Sequence, residues 1–329
     1  MTKSQIAEKD RIALSADRPK IGLAFSGGTL RAISQVGMLE VFDEHNIPVD
    51  YIAAASSGCV TAASYACGTM DILKDVWFNL TGEKLRALMS REGSNGGIYH
   101  LRKMEDLFRQ ITQNKRFEDV HPRLGFVAVD IVAGEEIVLQ MGDIARAIRT
   151  SCSIPGLFEP VRWGNKLLVD GGLLLDTVPV LAVQNMGADI VIGVDIADSK
   201  YVFGNYGPLI YFWKQYMLLR RILPIKAVKR VAGLVLALFE SELPVLTAEE
   251  EAKKSWFSVL SRSLDVMIEK KYRSAVNEAE GQVLIAPKIK HFRSYDPAIV
   301  SVFYEEGRKA ALDAVPRIRW LMENYGKKV

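Results

Sequence analysis

From residue 20 to residue 68, segments with the apolar pattern of a strand alternate with segments that have the apolar spacing of a helix. The segments KIGLAF (20–25) and PVDYIAAAS (48–56) are short apolar runs, typical of strands that are buried on both faces. Between and after them, TLRAISQVGMLEVFDEHNI (29–47) and GCVTAASYACG (58–68) have the spacing of helices. Strand, helix, strand and helix in this order predict a parallel sheet with crossover helices.

The same two patterns continue toward the C-terminus without an internal repeat or a low-complexity linker. Pro155 is expected to end one helix, because proline disfavours helical backbone in the residue before it. We expect a flexible N-terminal tail over residues 1–19 and a single α/β domain over residues 20–329. Further helices are predicted around 71–89, 101–113, 143–154, the first part of 179–196 and 298–315, and further strands in 123–140 (two), 166–172, the end of 179–196 and 281–289.

Composition narrows the classes of function. Charged residues form 25% of the chain and the formal net charge is only +3, which argues against a nucleic-acid partner. The cysteines, Cys59, Cys67 and Cys152, lack metal-ligand spacing and are expected to be free thiols in a reducing compartment. The polar N-terminus lacks the apolar core of a secretory signal, and no apolar run approaches the ~18 residues of a membrane span. We therefore expect a cytoplasmic protein, with peripheral contact to the inner face of the membrane as an option.

Ser56 lies where the second strand ends and the next helix begins. Its neighbours Ala54, Ala55, Ser57 and Gly58 are small, as the crowded backbone of a sharp strand-to-helix turn requires. Such a turn is the nucleophile elbow, usually written G-x-S-x-G, with Ala54 here in place of the first glycine. Small residues around a serine are also common in packed helices, so the motif alone leaves a purely structural role open.

Gly27 and Gly28 end the first strand, which should lie beside the strand that ends at Ser56. Glycines allow backbone N–H groups to point into the space above the sheet, where the following helix adds positive potential. Donors of this kind suit a phosphate or the oxyanion of an acyl-transfer intermediate, and Arg31 adds a charge. The alternatives are an ordinary tight turn with a surface arginine, or a nucleotide-binding loop, which lacks the G-K-[ST] ending of a P-loop.

Asp170 is the candidate base for the serine hydroxyl. A serine is a poor nucleophile unless a base accepts its proton, and none of the four histidines stands at a strand end beside glycines. Asp170 does, because LLVDGG ends an apolar strand with this carboxylate, followed by Gly171 and Gly172. An aspartate at the sheet edge beside Ser56 could take the proton directly. The alternative is an aspartate that opens a surface turn.

The glycine loop with arginine, the serine elbow and the later D-G-G, in this order, resemble the patatin-like phospholipase family. ARAIRTSCSIPGLFEPV (145–161) and LDVMIEKKYRSAVNEAEGQVLIAPKI (264–289) also look like family segments. The resemblance implies a three-layer α/β/α fold with a mainly parallel central sheet. It also implies hydrolysis of lipid acyl esters by a Ser-Asp dyad that needs no histidine, metal or cofactor.

When the roles of the family residues are carried over position by position, the resemblance implies that Ser56 is the nucleophile and Asp170 is the general base. Gly27, Gly28 and Thr29 would supply the oxyanion-hole amides, and Arg31 would be the loop arginine. The loop reads G-G-T-L-R-A, with Thr29 and Ala32 in glycine positions, and is similar to the variant in cytosolic phospholipase A2. The elbow and the base would be supported by Ala54, Gly58, Gly171 and Gly172.

A segment rich in basic and apolar residues suggests how the protein could contact a membrane surface. Residues 206–239 contain six basic residues, no acidic ones and many aromatic and aliphatic side chains, as expected of a segment at an anionic membrane surface. We interpret residues 206–245 as a helical insertion in the domain. The alternatives for this segment are a helix pair packed on the sheet and a contact between copies in a homo-oligomer.

Two other functions remain open from the sequence. The order Ser56, Asp170, His291 matches the triad of an α/β-hydrolase, although that fold places several strands before its nucleophile, whereas only one precedes Ser56 here. A non-catalytic lipid- or protein-binding module is favoured by the departures at Thr29 and Ala54.

Overall fold

The computed structural model describes residues 18–88, 97–172, 178–197, 283–289 and 297–326, which belong to one compact unit of the chain. The predicted insertion at 206–245 and His291 lie outside the described residues, so that the single-domain prediction stays a prediction. Residues 1–17 of the predicted tail lie outside them as well. Arg18 is already part of the domain, because its guanidinium donates two hydrogen bonds of 2.7 and 2.8 Å to Asp50.

The secondary structure follows the predicted order of strands and helices. The described strands are β1 (Ile21–Phe25), β2 (Tyr51–Ala55), β3 (Gly97–Tyr99), β4 (Arg123–Asp130), β5 (Glu135–Leu139), β6 (Gly156–Phe158), β7 (Val161–Trp163), β8 (Lys166–Asp170), β9 (Ile190–Val194) and β10 (Val283–Ile285). The described α-helices are α1 (Ile33–Glu44), α2 (Gly58–Cys67), α3 (Met70–Phe78), α4 (Gly82–Ala87), α5 (Arg102–Thr112), α6 (Ile144–Ser151), α7 (Val180–Asn185) and α8 (Val300–Asn324).

The central sheet is mainly parallel. Its strand order is β10-β9-β1-β2-β4-β8-β7, and β5 pairs with β4 outside this path. Strands β10, β9, β1, β2 and β4 run parallel, whereas β5, β8 and β7 join by antiparallel pairing. The carboxyl ends of β1 and β2 therefore meet at one edge of the sheet, the usual place for sites in such folds.

Alternating side chains along the strands build a core on each face of the sheet. In β2, Ile52 and Ala54 belong to the cluster that includes α1, α2 and α8, whereas Ala53 and Ala55 belong to the cluster that includes α7. A strand buried on both faces needs an apolar residue at every position, which explains the continuous apolar runs of the sequence. The prediction of an α/β fold with helices flanking a mainly parallel sheet is confirmed.

Several predicted boundaries were wrong for identifiable reasons. The helix predicted over 71–89 is divided into α3 and α4, because the Asn79 side chain bonds the Asp75 carbonyl and the Thr81 hydroxyl accepts the Lys84 amide. The closing helix predicted to end at residue 315 continues through Pro316 to Asn324, since buried Ile318 extends its packing on the core.

Three short strands were not predicted from the sequence. Strands β3 and β6 form a separate parallel pair, and β7 extends the central sheet beyond β8. Each has three residues, too few to show a period in the sequence. Within the described part of the chain, none of the helices is long and apolar enough to cross a bilayer.

Candidate active site

The sheet register brings Gly27, Ser56 and Asp170 to one level at the carboxyl edge. Phe25 pairs with Ala54, so that Gly27 and Ser56 each lie two residues beyond a paired position. Ala55 pairs with Val127 on β4, and the next residue, Ala128, pairs with Asp170 on β8. Ser56 and Asp170 are thus separated by two strand spacings, about 10 Å between Cα atoms.

Ser56 occupies a strained turn between β2 and α2. Its φ angle is +52°, in the left-handed region that costs a residue with a side chain about 1–2 kcal/mol. The Ser56 amide donates a 2.9 Å hydrogen bond to Ser151 Oγ, and the Ser151 hydroxyl donates a 2.7 Å bond to the Val127 carbonyl. These bonds tie the turn to α6 and β4 and help to hold its unusual backbone conformation.

Glycine is required where the loop after β1 meets this turn. A Cβ atom on Gly27 would lie 2.5 Å from Ser56 Cβ, and one on Gly58 would lie 2.7 Å from the Ser26 carbonyl oxygen. Both distances are shorter than real contacts, so larger residues would force the loop away from the serine. Ala54, in contrast, is fully buried within β2, where its methyl group is part of the core.

The loop after β1 combines a positive φ angle at a residue that is not glycine with a buried arginine. Thr29 has a φ angle of +51° despite its side chain, and Arg31 is only 5% exposed, which excludes a surface arginine in an ordinary turn. The Gly28 amide donates a 3.0 Å hydrogen bond to Ser57 Oγ. Among the described residues, the amides of Gly27 and Thr29 have no hydrogen-bond acceptor. These two amides are therefore the donors best placed for an oxyanion.

Asp170 is fully buried at the end of β8, which excludes the surface-turn alternative. Its amide donates a 2.9 Å hydrogen bond to the Ser153 carbonyl, and its Oδ1 accepts a 2.9 Å bond from the Gly172 amide. Gly171 lies directly against β4, where an added Cβ would be 2.7 Å from Val127 Cγ1. Glycine at position 171 thus allows the chain to pass close to β4 without a clash.

The pKa of the Cys152 thiol depends on both Ser56 and Asp170. Burial is the main reason why the pKa of this thiol lies well above its usual value. The negative charge of Asp170 raises that pKa further, whereas a hydrogen bond with the Ser56 side chain lowers it.

Each of the described histidines has neighbours other than Ser56 and Asp170. His45 follows α1 and lies 3.4 Å from the Arg319 guanidinium, and His100 Nδ1 accepts a 3.5 Å bond from the Arg102 amide. Burial lowers the pKa of His121, which lies near Asp50. These environments agree with the expectation that none of the three acts as the base.

The comparisons with known proteins indicate the family of the segment that contains these residues. The family model described as patatin-like phospholipase matches residues 23–183, a range that contains the glycine loop, Ser56 and Asp170. Residues 23–183 belong to the patatin-like phospholipase family. Gly27, Ser56 and Asp170, which the sheet register brings to one level, all lie within this patatin-like segment.

The patatin-like chain is similar to several curated proteins over part of their length. It is 30% identical over 182 residues to an uncharacterized NTE family protein of Mycobacterium tuberculosis. This alignment covers 55% of this chain and 50% of that protein. It is 27% identical over 229 residues to the lysophospholipase NTE1 of Debaryomyces hansenii, covering 62% of this chain and 14% of that protein. The chain thus spans half or less of the length of these relatives.

A solved structure of VipD from Legionella pneumophila aligns with a TM-score of 0.42 and 13% sequence identity, covering 92% of this chain and 67% of that chain.

Sequence reasoning missed three serines that support the patatin-like site. Ser57 bonds the Gly28 amide, Ser151 bonds the Ser56 amide, and the Ser153 carbonyl bonds the Asp170 amide. The only signals were the doubled serine in AASSG and the serines that flank the cysteine in TSCSIP. Neither pattern indicates a hydrogen bond between residues as distant in the sequence as Ser56 and Ser151.

Proposed function

We propose that the protein is a lipid acyl hydrolase of the phospholipase A, lysophospholipase or esterase type, with Ser56 and Asp170 as its catalytic dyad. The observation that carries the proposal is the alignment of Gly27, Ser56 and Asp170 across β1, β2 and β8 at one level of the sheet. Family membership and the lysophospholipase among the relatives support a lipid ester as the substrate.

The proposed reaction proceeds through an acyl-enzyme. Asp170 accepts the proton of the Ser56 hydroxyl while Ser56 Oγ attacks the carbonyl carbon of the ester. The tetrahedral intermediate then collapses as the ester C–O bond breaks, and Asp170 gives its proton to the departing oxygen, which leaves as the alcohol. The amides of Gly27 and Thr29 donate to the oxyanion, and loss of one such donor typically costs about 3 kcal/mol of transition-state stabilisation. A water molecule then attacks the acyl-enzyme with Asp170 again as the base, which releases the fatty acid and restores Ser56.

Fluorophosphonate labelling combined with an ester panel tests the proposed function. We expect stoichiometric labelling, mapped by mass spectrometry to Ser56 and not to Ser57, together with turnover of lysophospholipid, phospholipid or p-nitrophenyl esters. A chain that is folded but neither labelled nor active would instead be a binding module. A His291→Ala variant separates the dyad from a Ser-Asp-His triad, because only the triad predicts loss of turnover by orders of magnitude.

The basic segment 206–239, which lies outside the described residues, is proposed to bring the enzyme to an anionic membrane surface. Its six basic residues should favour anionic over zwitterionic lipid. We expect co-sedimentation with anionic liposomes to weaken strongly when these residues are replaced by glutamate, and to weaken also in high salt. Equal binding by the wild type and the variant would contradict the proposal. The replaced residues are Lys214, Arg220, Arg221, Lys226, Lys229 and Arg230.

A further inference from the structure

Gln35 is a fully buried polar side chain beside the loop after β1. It is the third residue of α1, and its Nε2 donates a 2.8 Å hydrogen bond to the Ser26 carbonyl, nine residues earlier in the chain. Helical side chains tilt toward the N-terminus of their helix, which allows Gln35 to reach back to this loop. Gln35 therefore contacts the segment that leads into the proposed oxyanion hole.

The bonded carbonyl belongs to the same peptide unit as the Gly27 amide. The peptide bond between Ser26 and Gly27 is trans, and in a planar trans peptide the C=O and N–H groups point in opposite directions. A donor that holds the Ser26 carbonyl on one side of the peptide therefore fixes the direction of the Gly27 N–H on the other side. Gly27 adjoins the nucleophile, because a Cβ atom on it would lie 3.2 Å from Ser56 Oγ.

The rest of Ser26 is already tied to β9 and the residues after it. The Ser26 amide donates to the Val194 carbonyl at 3.1 Å, and the Ser26 hydroxyl accepts the Ile196 amide at 2.8 Å. Among the described residues, no donor other than Gln35 bonds the Ser26 carbonyl. Because glycine follows, the backbone itself does not restrict rotation of this peptide, so that its orientation depends on the bond from Gln35.

The amide oxygen of Gln35 shows that this side chain is not optimised for packing alone. Within the described part of the chain, Gln35 Oε1 has no hydrogen-bond donor, and a buried polar atom without a partner lowers the stability of the fold. An apolar side chain of similar length would avoid that loss. The hydrogen bond to the Ser26 carbonyl is therefore the contribution of Gln35 that an apolar residue cannot replace.

We propose that Gln35 is a positioning residue that directs the Gly27 amide toward the oxyanion formed on the substrate. The inference rests on the proposed function, in which this amide is one of the two oxyanion donors. Without the bond to Ser26, the peptide samples orientations in which the Gly27 N–H points away from the substrate oxygen. Because the oxyanion forms only after substrate has bound, the loss should fall on kcat and leave KM unchanged.

The experiment compares Gln35→Met and Gln35→Leu with the matched control Thr61→Val. Thr61 is also fully buried, on α2, and its hydroxyl donates a 3.2 Å bond to the Ala32 carbonyl. We expect both Gln35 variants to lower kcat about 10- to 100-fold, less than the ~10²- to 10³-fold loss that follows removal of an oxyanion donor. Their melting temperatures should stay close to that of the wild type, because the unpaired Oε1 disappears with the amide. Thr61→Val should keep kcat at the wild-type value.

Inhibition by an alkyl trifluoromethyl ketone measures the oxyanion site directly. Ser56 Oγ adds to the ketone carbon of such a compound, its proton passes to Asp170, and the carbonyl oxygen becomes an oxyanion. The inhibition constant should rise in Gln35→Met by the same factor by which kcat falls, because both quantities depend on stabilisation of that charge. A structural effect elsewhere in the fold would not change the two in parallel.

The outcomes separate this inference from the proposed function. Wild-type kcat in folded Gln35→Met and Gln35→Leu, or a rise in KM without a fall in kcat, would overturn the positioning role and leave the dyad standing. An equal loss of kcat in Thr61→Val, or loss of the folded state in both Gln35 variants, would assign Gln35 to stability and overturn the positioning role as well. Absence of Ser56 labelling by fluorophosphonate in the wild type would instead overturn the proposed function itself.

Discussion

Replacement of Ser56 by alanine is expected to lower ester hydrolysis by a factor of about 10⁴ or more, with only a small effect on folding. The acyl-enzyme cannot form without Ser56 Oγ, and no other hydroxyl occupies the same turn in the same way, since Ser57 Oγ is bonded to the Gly28 amide. The Ser56 amide and its bond to Ser151 are retained in the variant, so that the turn keeps its anchor. The measurement is kcat/KM on the best substrate of the ester panel, with the melting temperature recorded alongside.

Ser64→Ala is the matched control for this prediction. Ser64 is another fully buried serine, on α2, and its hydroxyl lies 3.2 Å from the Thr69 hydroxyl rather than at the sheet edge. Its replacement should cost some stability, as loss of a buried hydrogen bond generally does, and leave kcat/KM close to that of the wild type. Substantial turnover by Ser56→Ala, at an unchanged melting temperature, would remove Ser56 from the mechanism.

The sequence carried enough information to predict the elements that hold the site, because its signals there are local. Ser56 follows an apolar strand, Asp170 ends one, and both precede small residues, whereas Gly27 and Gly28 come just after the first strand. Such patterns report the crowding of a strand-to-helix turn directly. The parallel arrangement of β1 and β2 could be predicted as well, because a crossover helix separates these two strands.

The exact alignment of the site could not be predicted, because it depends on pairing between distant segments. Asp170 reaches the level of Ser56 only because β8 runs antiparallel to β4, with Ala128 opposite Asp170. Likewise, the Ser151 hydroxyl that holds the elbow comes from a helix that no local pattern links to the serine. Tertiary burial also overrode local propensity at Pro316, which lies inside α8 and not at its end.

Replacement of Asp170 by asparagine is expected to lower kcat by a factor of about 10² to 10⁴, the usual contribution of a general base. Asparagine keeps the shape of the side chain and an oxygen that can accept the Gly172 amide, which bonds Asp170 Oδ1 at 2.9 Å. What it loses is the ability to take the Ser56 proton. Labelling of Ser56 by fluorophosphonate should slow in parallel, because that reaction also needs an activated hydroxyl.

The control removes the same charge from the neighbouring strand. Asp130 on β4 is 4% exposed and lies 3.7 Å from the Lys166 ammonium group, so Asp130→Asn should affect stability more than turnover. A double variant sharpens the test, because Ser56→Ala combined with Asp170→Asn should be no slower than Ser56→Ala alone if the two residues act as one unit. Additive losses in the double variant would mean that Asp170 supports the fold or the substrate rather than the serine. Retained labelling and turnover in Asp170→Asn would require a different base for Ser56.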